Sequence, residues 1–485
     1  MTLQSNGHEN EEQTGAKLTA FDGELLHPSL DIKNEVLVIG FRYRSSPKEE
    51  KEIFVVAREG GIEAVDGESV TINDKLYYFE KRGRKLVRID EKWGMIELQK
   101  FLENYAALKE VEPSSKELFE EIVDTGKRYV ELEQEIDYWL LAAWILGTYF
   151  YPIFYAYPFL HIKAPKRSGK SQSLNLLGQL CFNAIKARPS LPALSDTVDS
   201  LRGTYLIDQA DALGRKGTEE LLDILADSYK KSGGKRRVIN FDKKHGRETL
   251  EFETYSPKAF ASIRELPEDL RDRCLVVPLI RSQNNFLDPD DSNDNWKEKR
   301  GKIYKFLLCN YETVSSTYTV KKIGYRNSKE ILGRSLELWL PFEVIMECLE
   351  VRDKIAEAKK RFLAQYGFTE YEPSELEEEV VKAILSALQE AQEAVLSPVG
   401  ISELLPAELF DSGDTPKQRA AKVGWAIKKF NLSSEKKPRT KEGVRYLFQK
   451  IKVEGIYKSY FKTDTEPTPL TPAPTEGINI EEILM

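Results

Sequence analysis

Between Tyr138 and Leu160 the chain runs for 23 residues, YWLLAAWILGTYFYPIFYAYPFL, without one charged side chain. An apolar run of that length is either a membrane span or the centre of a folded core. Gly147, Pro152 and Pro158 interrupt it, five tyrosines are spread along it, and it continues through His161 and Ile162 into a glycine-containing loop. Aromatic residues of a spanning helix gather at its two ends, and breaks at these points leave segments too short to cross. The stretch is therefore expected to form a buried helix, a turn and a buried strand, with no membrane contact.

The loop that follows is Ala164-Pro165-Lys166-Arg167-Ser168-Gly169-Lys170-Ser171, flanked by the strand-like FLHIK and the amphipathic QSLNLLGQL. Strand, loop and helix in this order form a phosphate cradle: backbone N–H groups and a helix N-terminus face the β- and γ-phosphates. Lys170 offsets their charge, and the Ser171 hydroxyl holds Mg²⁺. ATP and Mg²⁺ are the cofactors this implies. The first position holds Ala164 where the motif has Gly, a constraint on one backbone angle only. Downstream, GTYLIDQAD is an apolar strand ending in Asp208, an acid placed to hold a Mg²⁺-bound water. Gln209 stands where many ATPases carry a water-polarising Glu. An amide orients water without accepting its proton, so slow hydrolysis or a substitute base at Asp211 is expected.

Next comes SGGKRRVINFDKKHGRETLEFE, whose VINF and ETLEFE alternate as hairpin strands around a tip of Lys243, Lys244 and His245. From Lys230 to Arg247 eight Lys and Arg face one acid, Asp242. Lys235, Arg236, Arg237, Lys243, Lys244 and His245 are the candidate contacts to nucleic-acid phosphates and bases. A solvated edge hairpin is the alternative.

The order of phosphate loop, acid-terminated strand, basic hairpin with a DKKH tip, buried strand and LPEDLRDRCLVVPL resembles the AAA+ helicases of superfamily 3. Over residues 135–285 it also resembles the DUF3631 helicase-like proteins of phages, plasmids and mobile elements. The resemblance implies ATP-driven movement along single-stranded or forked DNA by a homo-hexamer, in replication of a virus, plasmid or integrated element. It makes Lys244 and His245 the tip that tracks the strand. It makes Arg273 the arginine that reaches a neighbouring subunit's γ-phosphate, with Arg271 in reserve. The polar sensor of that family falls at Ile263, leaving Ser262 as its substitute. A nucleotide-switched initiator or loader with little hydrolysis, and a degenerate ATPase scaffold, are the alternatives.

Around this core, 485 residues allow several domains. Residues 1–16 read as a disordered lead-in, 17–95 as a small β-rich domain, 96–157 as a helical connector, 158–282 as the ATPase core and 283–370 as a helical lid. An acidic helix over 374–396 opens a basic, winged-helix-like module spanning 371–462, and 463–485 is a disordered Pro-rich acidic tail whose INIEEILM end is either a terminus without function or a docking peptide for a replication partner. From Lys417 to Lys462 there are 14 Lys and Arg against 3 Glu, opposing the whole chain's net charge of −8. Trp425, Ile427 and Phe430 are expected in that module's core. The fold class is therefore α/β: a P-loop AAA+ core with a parallel sheet, a β-rich N-terminal domain and a winged-helix-like C-terminal module. Four Cys without CxxC spacing and four His leave no zinc cage, and with no apolar leader a reducing, cytoplasmic setting is expected.

Overall fold

The β-branched and aromatic runs near the N-terminus form two small sheets. β1 (Glu24–Leu26), β6 (Ser69–Ile72) and β7 (Lys75–Phe79) make one, in the order β1-β7-β6; β2 (Leu30–Lys33), β3 (Val36–Ser46), β4 (Glu49–Arg58) and β5 (Gly61–Val65) follow one another in the second. The structure is a computed structural model and describes residues 24–460 except 73–74, 81–85, 109–112, 166–167, 188–189, 243–245, 281–285, 293, 329–330, 368–373, 390, 412, 431 and 441–442. The lead-in 1–16 and the tail 463–485 lie outside the described residues. The chain divides into two units, Met1–Tyr366 and Gly367–Met485.

In the first unit the β3–β4 hairpin is buried on both faces. Leu37, Ile39, Phe41 and Val55 join the main core, while Val38, Phe54 and Val56 pack with Phe79 on the other side. Gly40 is required there, since a Cβ would stand 2.2 Å from the Pro28 carbonyl oxygen. The main core then runs through α1 (Ile89–Lys92), α2 (Met95–Ala106) and α3 (Ser115–Tyr129) into the uncharged stretch. That stretch forms α4 (Glu135–Gly147), a 3-10 turn at Tyr151–Ile153 and β8 (Phe159–Lys163). The turn is fixed by polar atoms inside the apolar run: Trp144 Nε1 donates to the Pro158 carbonyl at 2.8 Å and the Tyr157 hydroxyl to the Trp144 carbonyl at 2.6 Å. No helix among the described residues is long and apolar enough to cross a membrane.

From β8 the chain alternates α5 (Lys170–Leu180), β9 (Ile185–Lys186), α6 (Leu191–Leu201), β10 (Tyr205–Ile207) and α7 (Glu219–Asp227). The hairpin of β11 (Lys235–Asp242) and β12 (Gly246–Glu253) is inserted before β13 (Lys258–Ser262), α8 (Glu268–Arg271) and β14 (Cys274–Pro278). The five-stranded sheet has the order β14-β8-β13-β10-β9 and every pairing in it is parallel. All its carboxyl ends therefore lie at one edge, the usual place for a ligand in such sheets. Two helical hairpin partners, α9 (Trp296–Ser328) and α10 (Gly333–Cys348), and then α11 (Arg352–Gly367) complete the unit.

Arg300 of α9 is 6% exposed and locks three elements together. Its guanidinium donates to the carbonyls of Glu91 at 2.8 Å, Lys92 at 2.9 Å and Gln179 at 2.7 Å. One turn on, Tyr304 stacks on Trp93 with ring centroids 5.5 Å apart.

The second unit contains α12 (Glu375–Ala387), β15 (Glu393–Leu396), α13 (Pro398–Leu404), α14 (Pro416–Lys429), β16 (Ser433–Thr440), β17 (Gly443–Gln449) and α15 (Lys450–Tyr460). Its strands form an antiparallel sheet in the order β15-β17-β16. Two expectations are corrected here. The acidic helix stops at Ala387, and Glu393–Leu396 is a strand, because Leu396 and its neighbours pair with Tyr446–Gln449. Pairing to a distant strand outweighs the local helix preference of Gln and Glu. Ile427 and Phe430 are buried, but Trp425 is 57% exposed. It follows Lys417 and Ala421 at four-residue spacing on the outer face of α14, all three exposed.

Candidate nucleotide and nucleic-acid site

The candidate phosphate loop leaves the carboxyl end of β8. Ala164 is buried, its N–H donates to the Ser262 carbonyl at 3.2 Å, and it is not among the residues with positive φ. Alanine in the first motif position is therefore accommodated without backbone strain. Gly169 is different: it has φ +81° as the N-cap of α5, a left-handed turn that favours glycine. Ser168 Oγ donates to the Pro165 carbonyl at 3.1 Å. Lys170 Nζ donates to the carbonyls of Ala164 at 3.1 Å and Pro165 at 2.9 Å. A phosphate oxygen is a stronger acceptor for an ammonium than either carbonyl. Ser171 is exposed in the first turn of α5. Lys166 and Arg167 lie outside the described residues.

Two strands away, β10 delivers Asp208 to the same edge. Its carboxylate is 29% exposed, accepts the Gln209 N–H at 2.9 Å and lies 3.9 Å from Lys186 Nζ. Gln209 is exposed and left-handed, at φ 57° and ψ 43°. A non-glycine residue in that region costs on the order of 1 kcal/mol and is typical of functional turns. Asp211, expected as a substitute base, is instead an anchor. Its carboxylate accepts the N–H groups of Ile263 at 3.1 Å and Arg264 at 2.8 Å. Burial pushes its carboxyl up, but these bonds and nearby Lys170 outweigh it and hold the carboxyl below the usual range. It is thus a poor proton acceptor that ties the acid-bearing turn to the end of β13.

Ser262, the substitute sensor, is also committed inward. Its hydroxyl donates to the Arg264 carbonyl at 2.6 Å and meets His161 Nε2 at 2.7 Å, while Ile263 beside it is exposed. His161 was not anticipated as part of the site; its one sequence trace is a polar ring inside the apolar strand that carries the loop. Burial lowers its pKa from 6.5 to about 4, so the ring is neutral at pH 7. Between those two values the unfolded chain carries a proton that the folded chain rejects. Stability therefore rises with pH across that window and is lost as pH falls. His161→Asn is expected to remove about 2 kcal/mol of the stability difference between pH 7 and pH 5. Urea unfolding of both proteins at the two pH values checks it; parallel losses would show that His161 titrates normally.

Arg273 lies at the other edge of the sheet. It precedes β14, and its carbonyl accepts the Phe159 N–H at 2.9 Å, at the amino end of β8. Because β8 and β14 are parallel and in register from Phe159 to Lys163, Arg273 is separated from its own phosphate loop by the length of β8, about 13 Å. Arg273 is half-buried and donates to the Asp269 carbonyl. Arg271, the last residue of α8 and two positions earlier, is also half-buried and its charge is felt by His161 and Glu265.

The hairpin pairs without interruption from Lys235↔Glu253 to Asp242↔Gly246. Lys243, Lys244 and His245 lie outside the described residues. Lys235 and Arg237 both bond Glu251, at 2.6 and 2.9 Å, while Arg236 turns to Ser195 of α6 at 3.5 Å. These three cations sit at the hairpin root, about 20 Å along β11 from its last residue, Asp242. Counting cations along β11 alone hid the acids that β12 sets against them. The root is seated tightly: a Cβ on Gly234 would lie 2.5 Å from Tyr255 Cβ.

No protein-family model matches the chain, so membership of the DUF3631 family is not shown. No curated protein matches it. Among solved structures it is similar to a full-length MCM homologue from Methanopyrus kandleri, at 11% identity and a TM-score of 0.34, covering 68% of this chain and 78% of that one. It is also similar to the C-terminal region of NrS-1 in its apo A form, at 10% identity and a TM-score of 0.32 over 85% and 96% of the two chains. JCV helicase bound to a thiazolopyridine-containing acetamide matches at 15% identity and a TM-score of 0.18, covering 54% and 71%.

Proposed function

We propose that the protein is an ATP-dependent DNA helicase or translocase that works as a ring of like subunits, a hexamer by its resemblance to superfamily 3. The observation that carries this reading is the separation of the catalytic set. Lys170, Ser171, Asp208 and Gln209 occupy the carboxyl edge of the parallel sheet, and Arg273 occupies the amino edge of its outermost strand. An arginine so placed serves a triphosphate only on another copy of the chain.

The donor set fits a Mg²⁺–triphosphate. Among the described residues no group of three or more His, Cys, Asp or Glu could hold a metal ion. Mg²⁺ bound beside phosphates needs only one or two protein ligands, and the Ser171 hydroxyl with Asp208 supplies them. Bound ATP supplies the phosphoanhydride bond whose cleavage drives the cycle. With Mg²⁺ and ATP bound, Lys170 would exchange its loop carbonyls for phosphate oxygens, Ser171 and Asp208 would hold the metal, and Gln209 would orient the attacking water. Arg273 of the adjoining subunit offsets the charge developing on the γ-phosphate. Loss of that joint shifts one subunit against the next and moves the hairpin, whose basic tip of Lys243, Lys244 and His245 releases one phosphate of the single strand and takes another.

A second reading is favoured by Gln209, which lacks a base: a nucleotide-switched initiator or loader with slow turnover. Phosphate release measured over a dilution series, with and without single-stranded DNA, tests the first reading. Turnover per chain is expected to rise with DNA and to fall on dilution as the ring dissociates. Turnover indifferent to both would overturn it.

A further inference from the structure

Cations from three parts of the first unit converge on one aromatic ring at the amino edge of the sheet. Tyr229 follows α7 and precedes the hairpin, and is 2% exposed. The guanidinium carbon of Arg273 is 5.3 Å from its ring centroid, that of Arg334 on α10 is 5.9 Å away, and Lys230 Nζ is 5.4 Å away. The ring is fixed at both ends. Its hydroxyl donates to Glu337 Oε2 at 3.2 Å, and its carbonyl accepts the Tyr157 N–H at 2.8 Å.

The partners of Arg273 show why a ring is used. Asp272, the adjacent acid, is taken by Arg334. Arg273 has no carboxylate partner among the described residues, and its Nε is buried with no hydrogen-bond partner. An ion pair would aim the guanidinium but cancel its charge. An aromatic face aims it and leaves its charge unpaired, with one guanidinium N–H spent on the Asp269 carbonyl.

We propose that Tyr229 is a positioning residue that holds Arg273 in the orientation from which it serves the adjoining subunit's triphosphate. Its place between α7 and β11 makes it also the link by which that arginine and the hairpin root move together. This inference rests on the shared-site reading above, and the test separates the two. Tyr229→Leu is expected to lower ATP turnover at least tenfold, and Tyr229→Phe, which keeps the ring, to retain it within about threefold. Mixing inactive subunits locates the defect. Lys170→Ala subunits carry a normal Arg273, so mixing them with Arg273→Ala subunits rebuilds intact shared sites and restores turnover above the sum of the parts. Tyr229→Leu subunits mixed with Lys170→Ala subunits are expected to recover in the same way.

Recovery with Arg273→Ala but not with Tyr229→Leu would overturn the role of Tyr229 and leave the shared site standing. Recovery with neither would overturn both. A fluorinated phenylalanine series at position 229 preserves the shape of the ring while draining its negative face, and so does not depend on Tyr229→Leu folding. Turnover is expected to fall stepwise with each added fluorine, and a flat series would overturn the proposal.

Discussion

Lys170→Ala is expected to lower ATP turnover at least a hundredfold while leaving the melting temperature within a few degrees of the parent. Both halves follow from where the ammonium sits. Its hydrogen bonds are to the carbonyls of Ala164 and Pro165 on its own loop, and the side chain is only half-buried, so its loss opens no cavity. In the proposed reaction, by contrast, it would be the cation nearest the bridging oxygens, and removing one such preorganised charge costs about 10²–10³ in rate. Phosphate release under saturating single-stranded DNA, with thermal unfolding in parallel, decides it. Turnover within tenfold of the parent would remove Lys170 from the chemistry and with it the phosphate-loop assignment.

Gln209→Glu is expected to act in the opposite direction and raise turnover tenfold or more. Gln209 is exposed, so a carboxylate there retains its water, and Lys186 lies close to the adjacent Asp208 to offset the second negative charge. Amide and carboxylate have nearly the same size, and the left-handed backbone that aims the side chain is common to both. What changes is the ability to accept the proton of the attacking water, a contribution of about 10²–10⁴ in general-base catalysis. A single-turnover measurement separates this step from product release. An unchanged single-turnover rate would mean that the chain activates water by another group and that the absence of Glu is not what sets its speed.

The strand-loop-helix around Gly169 and the strand ending at Asp208 were legible as structure because their signals are local. A strand, a glycine at the helix entrance and the Lys-Ser pair that follows need no distant residue to be recognised. The uncharged stretch was legible for the same reason, since its own Gly147, Pro152 and Pro158 dictate where it turns. Roles that depend on partners far along the chain were not. Asp211 reads as a spare base until Ile263, 52 residues on, is seen to donate to its carboxylate. Ser262 reads as a sensor until His161, 101 residues earlier, is seen against its hydroxyl. Trp425 failed differently. An aromatic residue between Val423 and Ile427 looks like core, but on α14 those neighbours point inward at a helical spacing that leaves Trp425 outside. Glu251 was foreseeable from the hairpin register, which sets it directly across from Arg237.

The three carbonyls gathered by Arg300 carry a lesson for dissecting this molecule. Two of them, Glu91 and Lys92, come from the end of the N-terminal segment, and the third caps the helix that begins at the phosphate loop. Trimming away the first hundred residues to isolate a fragment would strip that guanidinium of two of its three carbonyl acceptors and leave Tyr304 without its indole neighbour. The front of the chain is foundation to the parallel sheet and its loop rather than an appendage hung on them.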